Sequence, residues 1–238
     1  MSLDPVVAAK ENAARHAVRE HIHHGMSVGL GSGTTAAFAV RALAERLESE
    51  DLHLKAVVAT SRETADLARS FNITLRDELD PADCPLDVTI DGADEADPAL
   101  TLIKGGGGAS LREKLVAAVT TKEIIVVHPS KRVASLGLTF PLPVLVVPYG
   151  WRTTRERVES VVDRPSVLRM HHNGSPFVTD DGLFVLDITP GPIDDPSGLE
   201  HRLKELAGVV DTGLFIGMAK LLIVGYPDGR IEEFEPVH

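Results

Sequence analysis

The alternation of strand-like and helix-like segments in the first half of the chain is the feature that most limits its possible folds. An amphipathic helix is predicted at 5–24, followed by a buried strand at 26–31 that runs straight into a helix at 32–49. The pattern continues with strands at 54–60, 73–76, 86–92 and 123–129 and with helices at 61–71 and 109–121. Such alternation predicts an α/β domain, a parallel sheet with helices on both faces. Ligands of these sheets bind beyond the carboxyl ends of the strands.

The second half of the chain has a different pattern of predicted elements. The segment "FPLPVLVVPYG" at 140–150 carries three prolines, and a helix is predicted at 153–164. Hairpins are predicted at 176–188 and 221–235, where Asp-Asp-Gly and Pro-Asp-Gly mark the turns, with a helix at 196–208 between them. We therefore predict a parallel-sheet domain over 1–137, a small α+β domain over 138–210, and a return of 211–238 to the first domain.

Composition and charge exclude several functional classes. The chain has 238 residues, 43% hydrophobic, with a formal net charge of −11 and no basic run, so binding to nucleic acid is not expected. No apolar stretch is long enough to cross a membrane, and the N-terminal pattern mixes charges into its apolar positions, unlike a secretion signal. With Cys84 as its single cysteine, the protein is expected in a reducing cytoplasm.

A glycine-rich segment, "GLGSGTT" at 29–35, joins the first strand to the next helix. Free N–H groups at a helix start favour an anion, and the hydroxyls of Ser32, Thr34 and Thr35 add donors. The pattern lacks the lysine of a Walker loop and matches a dinucleotide loop only in part, and no acidic residue ends the second strand. We therefore expect a monophosphate rather than NAD, while a plain tight turn remains the alternative.

Charged residues surround a run of four glycines between the fourth strand and the helix after it. Asp91 and Asp94 bracket the strand end, where carboxylates are not needed for folding, and Lys104 stands at the edge of the glycine run. Glu113 falls in the first helical turn, where the helix dipole favours its anion. A carboxylate base and an ammonium next to it suit the abstraction of a proton α to a carbonyl, because the ammonium stabilises the developing oxyanion.

Other interpretations of these charges remain open. Glu113 could be only a helix-terminal charge and Lys104 a solvated loop end, or the aspartates and the glutamate could hold Mg²⁺. Against a metal, Lys104 already supplies a cation. We expect Glu113 to point away from the buried stripe of its helix, which is predicted to comprise Leu111, Leu115, Ala118 and Val119.

Three segments carry a resemblance to a known family. "GLGSGTTAAF" at 29–38, "IDGADEADPALTLIKGGGGASLREKLVA" at 90–117 and "HPSKRV" at 128–133 closely resemble ribose-5-phosphate isomerase of the A type. The resemblance implies a Rossmann-like domain with a smaller ferredoxin-like domain, assembled as homodimers or homotetramers. It implies interconversion of ribose 5-phosphate and ribulose 5-phosphate in the pentose phosphate pathway, without metal or organic cofactor. From charge and composition we expect neither a nucleic acid nor a membrane as a partner.

The resemblance also implies roles for individual residues. Glu113 would move a proton between C2 and C1 through an enediolate, Lys104 would stabilise that enediolate, and Asp91 and Asp94 would assist ring opening and hydroxyl proton transfer. The implied substrate-binding residues are Ser32, Gly33, Thr34, Thr35, Gly92, Ala93, Gly105, Gly106, Gly107 and Lys131.

One departure from the family pattern and two competing functions stay open. His128 stands where the family often has an acidic or small residue, which alters the local electrostatics around Lys131. A sugar-phosphate sensor would need the phosphate loop but neither the base nor the lysine. An enzyme of the coenzyme A transferase kind would use a glutamate as a nucleophile.

Overall fold

The computed structural model describes residues 4–50 and 52–237, which form two compact units. The first unit comprises the described residues up to Ala93, Arg112–Lys131, and those from Gly217 onward. The second comprises Asp94–Leu111 and Arg132–Ile216. The sequence-based boundaries had instead kept 94–111 with the first domain.

The elements follow one another in an order that changes from alternating to mixed. In chain order they are α1 (Pro5–His21), β1 (Ser27–Leu30), α2 (Gly33–Ser49), β2 (Ala56–Ala59), α3 (Arg62–Ser70), a 3₁₀ helix (Pro81–Asp83), β3 (Leu86–Asp91), β4 (Glu95–Ala96), β5 (Leu102–Ile103), α4 (Ser110–Ala118), β6 (Thr120–Val127), a 3₁₀ helix (Pro129–Lys131), β7 (Leu142–Val146), α5 (Trp151–Val162), β8 (Ser166–Leu168), β9 (Phe184–Ile188), α6 (Pro196–Lys204), β10 (Val209–Thr212), β11 (Leu214–Phe215), β12 (Ala219–Gly225) and β13 (Ile231–Phe234).

The first unit is built on a six-stranded sheet in the order β13-β12-β6-β3-β1-β2. Every neighbouring pair is parallel except β12 with β13. The parallel strands run in the order 2-1-3-4-5 by position along the chain, so the order reverses between β1 and β3. This reversal is the topological switch point at which doubly wound sheets bind ligands.

Small residues let helix α1 pack closely on the sheet. Asp4 starts this helix, accepting a hydrogen bond from the N–H of Val6 at 2.8 Å, and Pro5 occupies the first position, where no N–H is needed. Ala9, Ala13 and Ala17 follow at a spacing of four and are all buried, as helical periodicity requires of one face. The closing β12–β13 hairpin joins the same sheet beside β6.

The second unit contains a four-stranded antiparallel sheet in the order β10-β7-β9-β8. With α5 and α6 its chain order is β-α-β-β-α-β, the ferredoxin-like arrangement. Buried aliphatic residues from strands and helices form its core, among them Val144, Leu186, Val158 and Leu203. A separate three-stranded sheet, β11-β5-β4, completes the unit.

Two sequence-based expectations about strands were wrong, and some short strands were not predicted. Residues 73–76 are not a strand, although the N–H of Arg76 donates to the carbonyl of Val57 at 2.8 Å. The first arm of the hairpin at 176–188 is also absent as a strand: Pro176 forms only an isolated bridge with Met170, and β9 pairs with β7 and β8 instead. The short strands β4, β5 and β11 were missed, because two residues carry no periodicity.

None of the helices in the described ranges combines the length and the apolar character that crossing a bilayer requires.

Candidate active site

Asp91, at the end of β3, ties together two strand ends of the first unit. One carboxylate oxygen, Oδ1, accepts hydrogen bonds from the N–H of Ser32 at 3.0 Å and of Gly92 at 2.7 Å. A Cβ on Gly31 would lie 2.1 Å from the same oxygen, so only glycine leaves room for the carboxylate there. The side chain is 1% exposed. The expectation that this carboxylate has no part in folding was therefore wrong.

The hydroxyls predicted at the start of α2 point to different partners. Ser32 Oγ lies 2.7 Å from Thr60 Oγ1, and Thr34 Oγ1 accepts a hydrogen bond from Lys10 Nζ at 2.8 Å. Gly33 begins the helix with a φ of +85°, in the left-handed region that favours glycine. We name residues 31–35 the hydroxyl loop. Its helix N-terminus and its hydroxyls provide donors suited to an anion.

Two lysines add positive charge beside the hydroxyl loop. The pKa of Lys10 is lowered by burial and, next, by the nearby ammonium of Lys131, while Asp4 acts in the opposite direction. Lys131 ends a 3₁₀ helix, and its N–H donates to the carbonyl of His128 at 3.1 Å. Two ammonium groups that repel each other are stabilised together when an anion binds between them, so this cluster is suited to a phosphate.

His128 belongs to the same cluster. Its Nδ1 lies 3.0 Å from Ser130 Oγ, and burial, Lys131 and Lys10 all lower the pKa of its imidazole, in that order. The ring is therefore favoured in its neutral form. The departure from the family pattern at this position thus adds little positive charge near Lys131 at neutral pH.

Glu113 lies in the first turn of α4, as predicted, and is 6% exposed. The predicted buried stripe of this helix was wrong: Leu115 is 54% exposed, whereas Val116 and Ala117 are buried. Val116 packs with Val58 and Leu86. The phase of the stripe is shifted because the helix buries charged residues on its inner side, which an apolar periodicity does not reveal.

Lys104 opens the glycine loop, residues 105–108, in the second unit. It is 2% exposed, so the interpretation as a solvated loop end was wrong. Its N–H donates to the carbonyl of Gly213 at 2.9 Å, and its Nζ lies 5.2 Å from the ring centre of Phe215. Burying an ammonium group is costly unless it is stabilised, and buried lysines are correspondingly frequent at functional sites.

Asp94 holds the glycine loop from one side. Its Oδ2 accepts a hydrogen bond from the N–H of Gly106 at 2.8 Å, and its own N–H donates to the carbonyl of Ile103 at 2.8 Å. Gly105 and Gly108 have φ values of +106° and +82°. The glycines therefore serve the backbone conformation as well as any ligand.

The candidate residues fall into two groups by unit. The first unit contains Ser32, Gly33, Thr34, Thr35, Asp91, Gly92, Ala93, Glu113 and Lys131, and the second contains Asp94, Lys104, Gly105, Gly106 and Gly107. Within the first unit the structure joins Asp91 to the hydroxyl loop, and within the second it joins Asp94 to the glycine loop.

Sequence reasoning missed Lys10 and Glu95. Lys10 lies on α1, one lysine in a helix with mixed charges, and carries no local signal. Glu95 is fully buried, and its carboxylate accepts hydrogen bonds from the backbone N–H groups of Gly137, Thr139 and Phe140. Its place in the motif beside Asp94 was visible, but its partners lie some 40 residues further along the chain and could not be foreseen.

The chain is similar to known proteins along nearly all of its length. Residues 56–229 match the family model described as ribose 5-phosphate isomerase A (phosphoriboisomerase A). A ribose-5-phosphate isomerase A of Thermomicrobium roseum is 50% identical over 93% of this chain and 91% of the relative. Its counterpart from Dinoroseobacter shibae is 44% identical over 97% of this chain and 88% of the relative.

Solved structures agree in fold over the whole chain. The ribose 5-phosphate isomerase from Plasmodium falciparum superposes with a TM-score of 0.92 at 32% identity, covering 98% of this chain and all of that one. A D-ribose-5-phosphate isomerase in complex with phospho-erythronic acid superposes with a TM-score of 0.91 at 34% identity, with the same coverage.

Proposed function

This chain belongs to the ribose 5-phosphate isomerase A family, and we propose that it interconverts D-ribose 5-phosphate and D-ribulose 5-phosphate by proton transfer between C2 and C1. It is accordingly an isomerase of the pentose phosphate pathway. The observation that carries the assignment of residues is the burial of Glu113 and Lys104, two charged side chains of types that proteins rarely bury without a reason.

Glu113 is the proposed base. It removes the proton from C2 of the open-chain aldose while the electrons move toward the carbonyl oxygen at C1, which gives an enediolate. The proton of the C2 hydroxyl then passes to the oxygen at C1, and as the ketone forms at C2 the same carboxyl group returns its proton to C1. Positioned general bases of this kind contribute roughly 10²–10⁴-fold to a rate.

Lys104 and the two aspartates complete the proposed chemistry. The ammonium of Lys104 stabilises the enediolate oxygen, a charge that appears only as the C–H bond breaks, so its contribution is to turnover more than to binding. Asp91 and Asp94 assist ring opening and carry protons to and from the sugar hydroxyls. Neither step calls for a metal or an organic cofactor, which stays a prediction.

The phosphate of the substrate is assigned to the hydroxyl loop. The helix N-terminus of α2, the hydroxyls of Thr34 and Thr35, and the ammonium groups of Lys10 and Lys131 support this assignment. Gly92, Ala93 and the first three residues of the glycine loop are assigned to the rest of the sugar. The complex of a relative with phospho-erythronic acid, a phosphorylated sugar acid, supports a phosphorylated-sugar ligand and offers a probe.

We also propose a cytoplasmic location and a homodimeric or homotetrameric assembly, with neither nucleic acid nor a membrane as a partner. The pathway supports the cytoplasmic location, and the net charge of −11 argues against a nucleic-acid partner. Membership of the family supports the homo-oligomeric assembly. Sedimentation of the purified protein at several concentrations tests the assembly, since a monomer at every concentration would refute it.

A coupled assay tests the function directly. Purified protein is given ribose 5-phosphate with a chelator present, and ribulose 5-phosphate is measured as it forms. We expect sustained turnover. Absence of product, together with binding of the sugar phosphate, would favour a sensor instead. A protein-bound thioester after incubation with an acyl-coenzyme A would favour the transferase.

A further inference from the structure

One guanidinium group holds two carbonyls of the glycine loop. Arg169 follows β8, and its Nη1 donates to the carbonyl oxygen of Gly105 at 2.8 Å and of Gly106 at 3.1 Å. Its Nε and Nη2 bind the two carboxylate oxygens of Asp187 at 2.8 and 2.5 Å. The planar cation is therefore fixed along one edge and binds the loop with the other, a geometry that lysine cannot reproduce.

This contact determines the direction of the loop's N–H groups. In a trans peptide the carbonyl and the following N–H point in opposite directions. The N–H of Gly106 accordingly points away from Arg169 and donates to Asp94 Oδ2. The N–H of Gly107 points away from the guanidinium by the same rule. Gly107 is exposed, and a Cβ there would meet no atom within 4 Å, so there is room for a ligand beside this residue.

Two aromatic rings pack on the same loop. A Cβ on Gly108 would lie 2.4 Å from the ring of Phe177, and Arg169 lies 5.8 Å from the centre of that ring. A Cβ on Gly106 would lie 2.9 Å from the ring of Phe140, whose N–H is bound by Glu95. The loop is thus confined by rings, while Arg169 supplies the polar contact that orients its peptides.

We propose that Arg169, anchored by Asp187, is a positioning residue for the isomerase reaction. By holding the carbonyls of Gly105 and Gly106 it fixes the peptide planes of the glycine loop, so that the N–H of Gly107 is directed at the sugar, and it fixes the backbone next to Lys104. This proposal rests on the proposed function, because only a bound sugar phosphate gives the contact between Arg169 and the glycine loop a role in catalysis. Arg169 itself contacts no reacting atom.

Steady-state kinetics of Arg169→Lys and Arg169→Ala test whether Arg169 affects catalysis. Because a displacement of about 1 Å can cost on the order of 10²-fold, we expect kcat to fall roughly 10- to 100-fold with a smaller change in KM. Guanidinium ion added to the alanine variant should restore part of kcat. The matched control is Arg155→Lys, which alters an arginine–carboxylate pair of α5 at 2.8 Å that does not touch the loop. A native kcat in both Arg169 variants, or an equal loss in the control, would overturn the proposal.

Amide hydrogen exchange without substrate tests whether Arg169 orders the glycine loop, independently of any activity. In Arg169→Lys the amides of residues 105–108 should exchange at least several-fold faster, while those of β7 and β9 keep their native protection. Unchanged exchange in the glycine loop would overturn the proposal, as would a uniform loss of protection across the unit. If the natural protein lacked isomerase activity, the proposed function would fail, and this measurement would still show whether Arg169 orders the loop.

Discussion

The hydroxyl loop and the glycine loop are both glycine-rich segments that follow a strand, but they are held by different means. The hydroxyl loop is fixed by Asp91 at the end of the adjacent strand β3 and by Thr60 at the end of β2, the neighbour on its other side. The glycine loop is fixed by Asp94, by Arg169 and by two aromatic rings. The first loop is held mainly from the ends of the two strands that flank β1, whereas the second is held by the Arg169 side chain beyond β8 and by rings from other segments.

The two loops also have different proposed roles. The hydroxyl loop is proposed to bind a phosphate, whose charge is present throughout the reaction, so substitutions there should change KM. The glycine loop follows Lys104, which is proposed to stabilise a charge that develops only during proton transfer, so substitutions there should change kcat. The following predictions test this division, in order of decreasing effect.

Among changes in and beside the two loops, Lys104→Ala should have the largest effect. Because the ammonium is proposed to meet the enediolate, kcat should fall by roughly 10²–10³-fold, as for the loss of other oxyanion donors, and by more than KM rises. Steady-state kinetics at saturating ribose 5-phosphate measures both. Lys204→Ala, which removes a half-exposed lysine of the same unit paired with Asp211, is the control. A rise in KM with native kcat would assign Lys104 to binding instead.

Gly31→Ala should have the next largest effect. The new Cβ would lie 2.1 Å from Asp91 Oδ1, so the carboxylate must move, and overpacking of this kind costs about 1–3 kcal/mol of unfolding free energy. We expect activity to fall at least tenfold as well. In Gly29→Ala the Cβ meets Thr89 Oγ1 at the same 2.1 Å, away from the site carboxylate. If Gly31→Ala and Gly29→Ala lost the same activity for each kcal/mol of unfolding free energy lost, Asp91 would have no catalytic role.

Lys10→Met should have a smaller effect, confined to binding. KM should rise about tenfold with little change in kcat, because one of several phosphate contacts is lost, a charge-assisted bond worth roughly 1.5–3 kcal/mol. The pKa of Lys10 is lowered by burial and by Lys131, and a bound phosphate would raise it. Affinity of the natural protein should therefore weaken as pH rises through this lowered pKa, below the range of a free lysine. If KM depended on pH in the same way in the natural protein and in Lys10→Met, Lys10 would not contact the phosphate.

Chelator treatment should have no effect, because neither loop is proposed to use a metal. Activity is measured after dialysis against a strong chelator and again after addition of Mg²⁺. A loss that Mg²⁺ restores would revive the interpretation of the acidic strand end as a metal site.

Patterns in the sequence were sufficient to predict the parallel-sheet unit, its closing hairpin and the first-turn position of Glu113. These features depend on local periodicity and on turn residues, which are visible over a few positions. The capping of α3 by Ser61, which accepts a hydrogen bond from the N–H of Thr64 at 3.1 Å, was foreseeable for the same reason.

What the sequence did not reveal depends on contacts between distant segments. Asp91 could be named as chemically important, but its bonds to Ser32 and Gly92 follow from the strand order of the sheet. The inner side of α4 was mispredicted: Glu113 and Lys114 are buried with Val116 and Ala117, whereas Leu115 of the predicted stripe is exposed. Arg169 lies 64 residues from the Gly105 carbonyl it holds, and no local pattern links the two.

The account depends most directly on Glu113 as the proton acceptor. Glu113→Gln should lower turnover of ribose 5-phosphate by roughly 10²–10⁴-fold, the range of a general base, while phospho-erythronic acid binds within a few-fold of the natural affinity. Glu63→Gln, which alters the first-turn glutamate of α3, should leave turnover unchanged. Near-native turnover in Glu113→Gln, with inhibitor binding intact, would contradict the account, since the carboxylate would then be no more than a helix-terminal charge.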